Sequence, residues 1–171
     1  MNHIYCGDGK GKTTAAIGLA VRAAGRGKRV LILQFLKGQP TGELESLKKI
    51  SNIRVIRGKL GGKFTFEMDR RELQQTYDIH TKNLLTVVES VRAGECDLVI
   101  LDEVIGALNT QLIDEDLLRN FIQEKPADIE LVMTGRNPPQ WLLDMADYIT
   151  EMKKIKHPFD LGVKAREGIE M

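Results

Sequence analysis

Apolar residues in this chain fall into two kinds of run. Val30 to Phe35, Leu98 to Leu101 and Glu130 to Met133 are short, nearly unbroken apolar blocks. A strand covered on both faces loses the period-two alternation of a half-exposed one, so these blocks predict central strands. Asn2 to Cys6, Ile53 to Ile56 and Tyr148 to Met152 read as further strands. Between them the apolar positions recur at helical spacing. Lys12 to about Ala24 predicts a helix closed by Gly25 and Gly27, and Gly42 to Ile50 a short one. Asp69, with Glu72 three residues on, opens a long helix with a capping-box pair; its predicted buried stripe is Leu73, Tyr77, Leu84, Val88 and Val91, and Gly94 ends it. Helices are also predicted from about Val104, from about Asp116, and after Asn137-Pro138-Pro139, where proline suits a first turn. Repeated βα units require right-handed crossovers and a mostly parallel central sheet flanked by helices.

In such a sheet the reactive edge lies beyond the C-terminal ends of the strands. Gly7 to Thr14, Gln34 to Gly38, Asp102-Glu103 and Thr134 to Asn137 all fall there. The first segment, Gly-Asp-Gly-Lys-Gly-Lys-Thr-Thr, joins a strand to a helix N-terminus. Glycines at Gly7, Gly9 and Gly11 let backbone N–H groups approach an anion, and the helix dipole adds positive potential. Lys12 is placed to reach distal phosphates and the Thr13 hydroxyl to ligate Mg²⁺. The usual phosphate loop has four residues between its first Gly and the Gly-Lys pair. Here Cys6 stands where that Gly belongs, and Asp8, Gly9 and Lys10 alone separate Gly7 from Gly11. The acidic pair Asp102 and Glu103, ending a buried strand, supplies carboxylates for the metal. Together these predict one α/β domain over residues 1–171 of P-loop NTPase-like, RecA-like architecture, binding a nucleoside triphosphate.

Composition narrows the setting. The 42% hydrophobic and 29% charged content is that of an ordinary globular protein, and the formal net charge of +1 offers no global field for nucleic acid or a membrane surface. Apolar runs are strand-sized, too short for a transmembrane span, and the first strand begins too early for a signal peptide. Cys6 and Cys96 have no CxxC context and read as buried reduced thiols, as in a cytoplasmic protein. His3, His80 and His157 are too scattered for a zinc site. Two segments escape periodicity. Gly58 to Met68 is Gly-rich and basic, with Phe64 and Phe66 either folded back onto the core or offered to a planar ligand. The tail from Lys153 to Met171 is too punctuated for a helix and too apolar for plain disorder, which predicts an ordered strap lying across the domain.

The chain resembles the ATP:corrinoid adenosyltransferases of the P-loop type over nearly its whole length. The resemblance rests on the short loop followed by Ala15-Ala16, on Gln34-Phe35-Leu36-Lys37-Gly38, Leu101-Asp102-Glu103, Thr134-Gly135-Arg136 and Ala146-Asp147, and on the tail from Lys156-His157 through Gly162-Val163-Lys164-Ala165 to Gly168-Ile169. It implies that cobalt(I) of a reduced corrinoid attacks the 5′-carbon of ATP and the whole triphosphate leaves, with ATP lying reversed in the loop. Lys10, Lys12, Thr13 and Thr14 would hold the polyphosphate, with Glu103 and Asp102 on the Mg²⁺ side. Gln34, Arg22 and Arg136 match positions near the nucleotide, Arg22 reading equally as an exposed helix arginine. Phe64 and Phe66 match the aromatic pair that displaces the corrinoid's lower ligand, with Phe66 standing where familiar members carry Trp. The resemblance further implies a homodimer and a strong electron donor such as a reduced flavoprotein. Relatives often carry an N-terminal segment covering the corrinoid, whereas this sequence opens at the first strand.

A conventional P-loop ATPase or kinase is the rival enzyme reading; it leaves the short loop and the tail unexplained. A RecA-like module acting on DNA would show a basic excess, which this chain lacks.

Overall fold

The structure, a computed structural model, describes residues 1–58 and 65–169. Phe64 lies outside the described residues. Six strands, β1 (Asn2–Cys6), β2 (Val30–Gln34), β3 (Ile53–Arg57), β4 (Leu98–Asp102), β5 (Glu130–Thr134) and β6 (Tyr148–Glu151), form one sheet in the order β3-β2-β4-β5-β1-β6. All five pairings are parallel. The predicted strands are thus present, and the doubly covered α/β architecture is the P-loop NTPase-like one. Strand β5 lies between β1, which leads into the glycine loop, and β4, which ends in Asp102.

Both faces of the sheet are covered at its centre, which is why β2 and β4 are buried at every residue, while the edge strand β6 is exposed along its length. On one face α1 (Lys12–Ala24) lays Ala16, Ala20 and Ala24 against Val30, Ile32, Leu98, Ile100 and Val132. Three alanines at i, i+4, i+8 let the helix approach closely. Leu47 of the short α2 (Gly42–Leu47) joins this layer. On the other face the alternate strand residues Leu31, Leu33, Val99, Leu101, Leu131 and Met133 meet α3 (Arg70–Arg92), α4 (Val104–Asn109), α5 (Glu115–Glu124) and α6 (Gln140–Asp144).

Asp69 caps α3 as predicted: its carboxylate accepts from Glu72 N, and the Glu72 carboxylate accepts from Asp69 N. The buried face of α3 differs at its N-terminal half. Leu84, Val88 and Val91 are buried, but Leu73 and Tyr77 are only half-buried, and Thr76 and His80 take the core positions. Thr76 satisfies its hydroxyl on Glu72 O, and His80 satisfies its ring on Leu112 O and Leu36 N. Helix α5 starts one residue earlier than predicted because Asp114 caps it by accepting from Leu117 N. No helix among the described residues is long and apolar enough to cross a membrane.

The tail departs from expectation. After β6 it forms a single 3₁₀ turn, Pro158–Leu161, capped by His157 Nδ1 accepting from Phe159 N. Its apolar side chains do not lie over the core: Phe159 and Leu161 are about three-quarters exposed. Its proline and glycines leave it local bonds in place of sheet or helix pairing.

Candidate functional site

The glycine loop is shaped from outside by the segment following β6. Gly9 N donates to Met152 O at 2.6 Å, and Met152 N donates to Cys6 O at 2.8 Å. Asp8 accepts from Lys154 N at 3.0 Å, which holds its carboxyl below the ordinary range. A Cβ on Gly7 or Gly9 would stand 2.6 and 2.4 Å from the Met152 carbonyl oxygen. Gly9 therefore answers to a close backbone approach, Gly7 both to that approach and to its conformation at φ +102°, and Gly11 to conformation, capping α1 at φ +113°. One predicted detail changes. The N–H of Gly9 faces the segment after β6, so it is not among the groups open to an anion.

Lys12 is buried in the first turn of α1, its ammonium donating to Gly9 O at 2.6 Å. Burial lowers its pKa, and the nearby Arg136 adds to the effect. Arg136, exposed at the end of β5, also acts electrostatically on Asp8 and Glu103, which places its charge at the loop. Lys10 and Thr14 are exposed along the loop rim and the first turn of α1. Arg22 is exposed on the last turn of α1, where its charge acts on Tyr5.

Asp102 is the hub. Fully buried, its Oδ1 accepts from Thr13 Oγ1 at 2.9 Å and from Thr134 Oγ1 at 2.8 Å. Its Oδ2 accepts from Lys37 Nζ at 2.6 Å and from Gln34 Nε2 at 3.2 Å. Lys37 also donates to Thr13 Oγ1 at 3.2 Å. A buried carboxylate is tolerated when it is paired and hydrogen-bonded in this way. Gln34 reaches Glu43 of α2 as well, at 3.3 Å, and its buried Oε1 has no hydrogen-bond partner among the described residues. Burial alone would raise the Glu43 carboxyl. Hydrogen bonds from its own backbone and from Gln34, with the Lys37 charge, outweigh that and hold it below the usual range.

Glu103 caps α4 in a left-handed conformation, φ +62°, with its N–H donating to Thr134 Oγ1. Burial, reinforced by Asp102, raises its pKa. Gly135 must be glycine: at φ +149° its Cβ would stand 2.6 Å from Ile105 Cβ, so the chain leaving β5 passes directly against α4 here. Thr13, Asp102 and Glu103 thus form an all-oxygen donor set, which suits a hard cation such as Mg²⁺.

The structure brings Gly7, Asp8, Gly9, Lys10, Gly11, Lys12, Thr13, Thr14, Gln34, Asp102, Glu103 and Arg136 to one end of the sheet. Phe66 stands apart in a 3₁₀ turn, Thr65–Glu67, with its ring 84% exposed, so it does not fold back onto the core. Lys37, Thr134 and Glu43 were missed as site residues. Two of them had a signal, since Lys37 and Thr134 sit at the C-terminal edge of β2 and β5. Glu43 had only its place in the first turn of a short helix.

Over residues 1–171 the chain matches the family described as ATP:corrinoid adenosyltransferase BtuR/CobO/CobP. It is 37% identical over 169 residues to a corrinoid adenosyltransferase of Sinorhizobium sp, covering 98% of this chain and 78% of that protein. It is 33% identical to a corrinoid adenosyltransferase of Escherichia coli K12 and 34% identical to the corrinoid adenosyltransferase CobA of Salmonella typhimurium LT2. Each of those two alignments covers 98% of this chain and 83% of the relative.

Proposed function

The chain belongs to the ATP:corrinoid adenosyltransferase family, and from that premise we propose how its residues carry out the transfer of the 5′-deoxyadenosyl group of ATP to a corrinoid in cobalamin biosynthesis or salvage. The observation that carries the reading is the convergence of Thr13, Gln34, Lys37 and Thr134 on one buried carboxylate, Asp102, beside the loop bearing Lys12.

Residues 1–171 act as one domain. The substrate supplies its own nucleophile: cobalt(I) of a reduced corrinoid attacks the 5′-carbon of ATP, the C–O bond to the α-phosphate breaks, and intact triphosphate leaves. The protein's task is to make triphosphate a good leaving group. Loop N–H groups, Lys10, Lys12 and Thr14, fixed before the reaction, meet the charge that develops on it. Gly7, Asp8, Gly9 and Gly11 give the loop its path, and Arg136 lies within electrostatic reach of it. Thr13, Asp102 and Glu103 are the residues that would hold Mg²⁺, which when bound neutralises polyphosphate charge. Gln34 offers to the nucleotide its Oε1, which has no partner among the described residues. Arg22, on the far turn of α1, is the weakest of the nucleotide contacts proposed from sequence. Phe66, with Phe64, wedges against the lower face of the corrinoid and favours a four-coordinate cobalt that accepts an electron readily. The exposure of the Phe66 ring supports that role.

We place the protein in the cytoplasm as a homodimer fed by a reduced flavoprotein. Cys6 and Cys96 are free, buried thiols, which suits a reducing compartment. A conventional ATPase or kinase is not favoured.

The test is anaerobic incubation with ATP, Mg²⁺, cobalamin and a chemical reductant. A light-sensitive alkylcobalt spectrum with triphosphate released is the expected result. ADP and orthophosphate without a corrinoid change would overturn it.

A further inference from the structure

Lys37 lies on the turn that leaves β2, directly after Leu36, whose backbone is left-handed at φ +56°. Leu36 N donates to His80 Nε2 at 3.3 Å, while His80 Nδ1 is engaged with Leu112 O at 2.9 Å, so a buried imidazole ties this strained turn to the core. From that anchored backbone the Lys37 side chain reaches in and sets its ammonium on Asp102 Oδ2 and Thr13 Oγ1. Those oxygens belong to the set that suits a divalent cation. An ammonium and a Mg²⁺ cannot share them: the metal needs oxygens at about 2.0–2.1 Å in near-octahedral array and carries twice the charge. The Lys37 side chain is 22% exposed, whereas Asp102 is fully buried, so the lysine is the partner with a route out.

We propose that Lys37 is an internal cation that holds the metal position between Thr13 and Asp102 and moves to the polyphosphate when the metal–nucleotide complex arrives. The divalent cation then enters with the nucleotide and not before it. This rests on the reading of the loop as a triphosphate site. In the resting protein the buried Asp102 charge is already compensated, so a free cation gains little by binding there. When the nucleotide brings both the metal and a new set of anionic oxygens, the two cations separate onto different partners. Lys37 then serves as a phosphate ligand from the β2 side, opposite Lys12. A purely structural ion pair would predict something else: loss of stability on removing Lys37, and no change in metal binding.

The probe is Mn²⁺, followed by electron paramagnetic resonance on the purified full chain without nucleotide, corrinoid or reductant. Wild type should bind Mn²⁺ weakly until ATP is added. K37M leaves a buried carboxylate uncompensated, and should bind free Mn²⁺ roughly tenfold or more tightly than wild type. K37R, which keeps the charge, should behave as wild type, and D102N in the K37M background should abolish the gained site. Equal Mn²⁺ affinity in wild type and K37M would overturn the proposal. So would tight Mn²⁺ binding by wild type without nucleotide, a result that needs no variant to fold. Should the chain fail to bind ATP, the functional reading falls, while the nucleotide-free titrations still decide the role of Lys37.

Discussion

Replacing Gly9 by Ala isolates the contact between the glycine loop and the segment after β6. The added Cβ would stand 2.4 Å from Met152 O, 2.8 Å from Met152 C and 2.9 Å from Lys153 C. All three are backbone atoms, so no flexible side chain can give way. Gly9 is not among the residues with positive φ, which leaves steric conflict as the cause. The same displacement stretches the 2.6 Å bond from Gly9 N to Met152 O. Overpacking costs about 1–3 kcal/mol and a lost hydrogen bond about 1 kcal/mol more, so a total of about 2–4 kcal/mol is expected. For a chain of this size that lowers Tm by roughly 5–15 °C. Gly18 is the internal control. It lies mid-helix in α1 with nothing within 4 Å of its would-be Cβ, so Gly18→Ala should stabilise by about 0.5–1 kcal/mol. Urea unfolding of both variants, with m-values compared to wild type, measures the pair. A Gly9→Ala protein melting within about 1 °C of wild type would refute the account of why the loop needs this glycine.

Three further outcomes are expected. Asp102→Asn keeps the shape of the hub but removes the charge facing Lys37, and should lower adenosyl transfer by about 10- to 100-fold at fixed Mg²⁺, with partial rescue by more metal, as read from the rate of alkylcobalt formation. Phe66→Ala should slow transfer to cobalamin more than to cobinamide, which lacks the tethered lower base; equal slowing would remove the wedge role. Asp97 pairs with Arg29 through bonds at 2.7 and 3.2 Å, which hold its carboxyl at about 2 against an ordinary 3.8. Because its folded pKa is depressed, its stabilisation is present above 3.8 and lost as pH falls towards 2. Asp97→Ala should therefore destabilise at neutral pH by no more than about 1 kcal/mol, since the pair is partly solvated. The gap to wild type should close across that acid window in denaturant titrations.

Much of the fold was legible because central strands and capped helices announce themselves locally. The unbroken Val30 to Phe35 and Leu98 to Leu101 blocks and the Asp69–Glu72 box each carry their signal within a few residues. The α3 stripe was misread at Thr76 and His80 because a polar residue becomes a core residue only when a distant partner satisfies it, and Leu112 O is such a partner. The site was legible where a motif fixes both residue and role, as at Lys12, Thr13 and Asp102. Lys37 and Glu43 were not, since what makes them part of the site is a set of distances to Asp102 and Gln34 across the chain. The tail misled for a related reason. Its apolar residues suggested burial, but proline and glycine deny it the regular bonding that would hold it down.

The place of β5 between β1 and β4 has a metric consequence. Neighbouring strands run about 4.8 Å apart, so the ends of β1 and β4 are held about 10 Å from each other. Between them is a slot whose width is set by the sheet itself and so resists collapse or spreading. Thr134, at the tip of the intervening strand, is the floor of that slot, since its hydroxyl meets both Asp102 and the Glu103 amide. Substituting a side chain around it would alter its lining, but the one-strand spacer keeps the gauge of the opening constant.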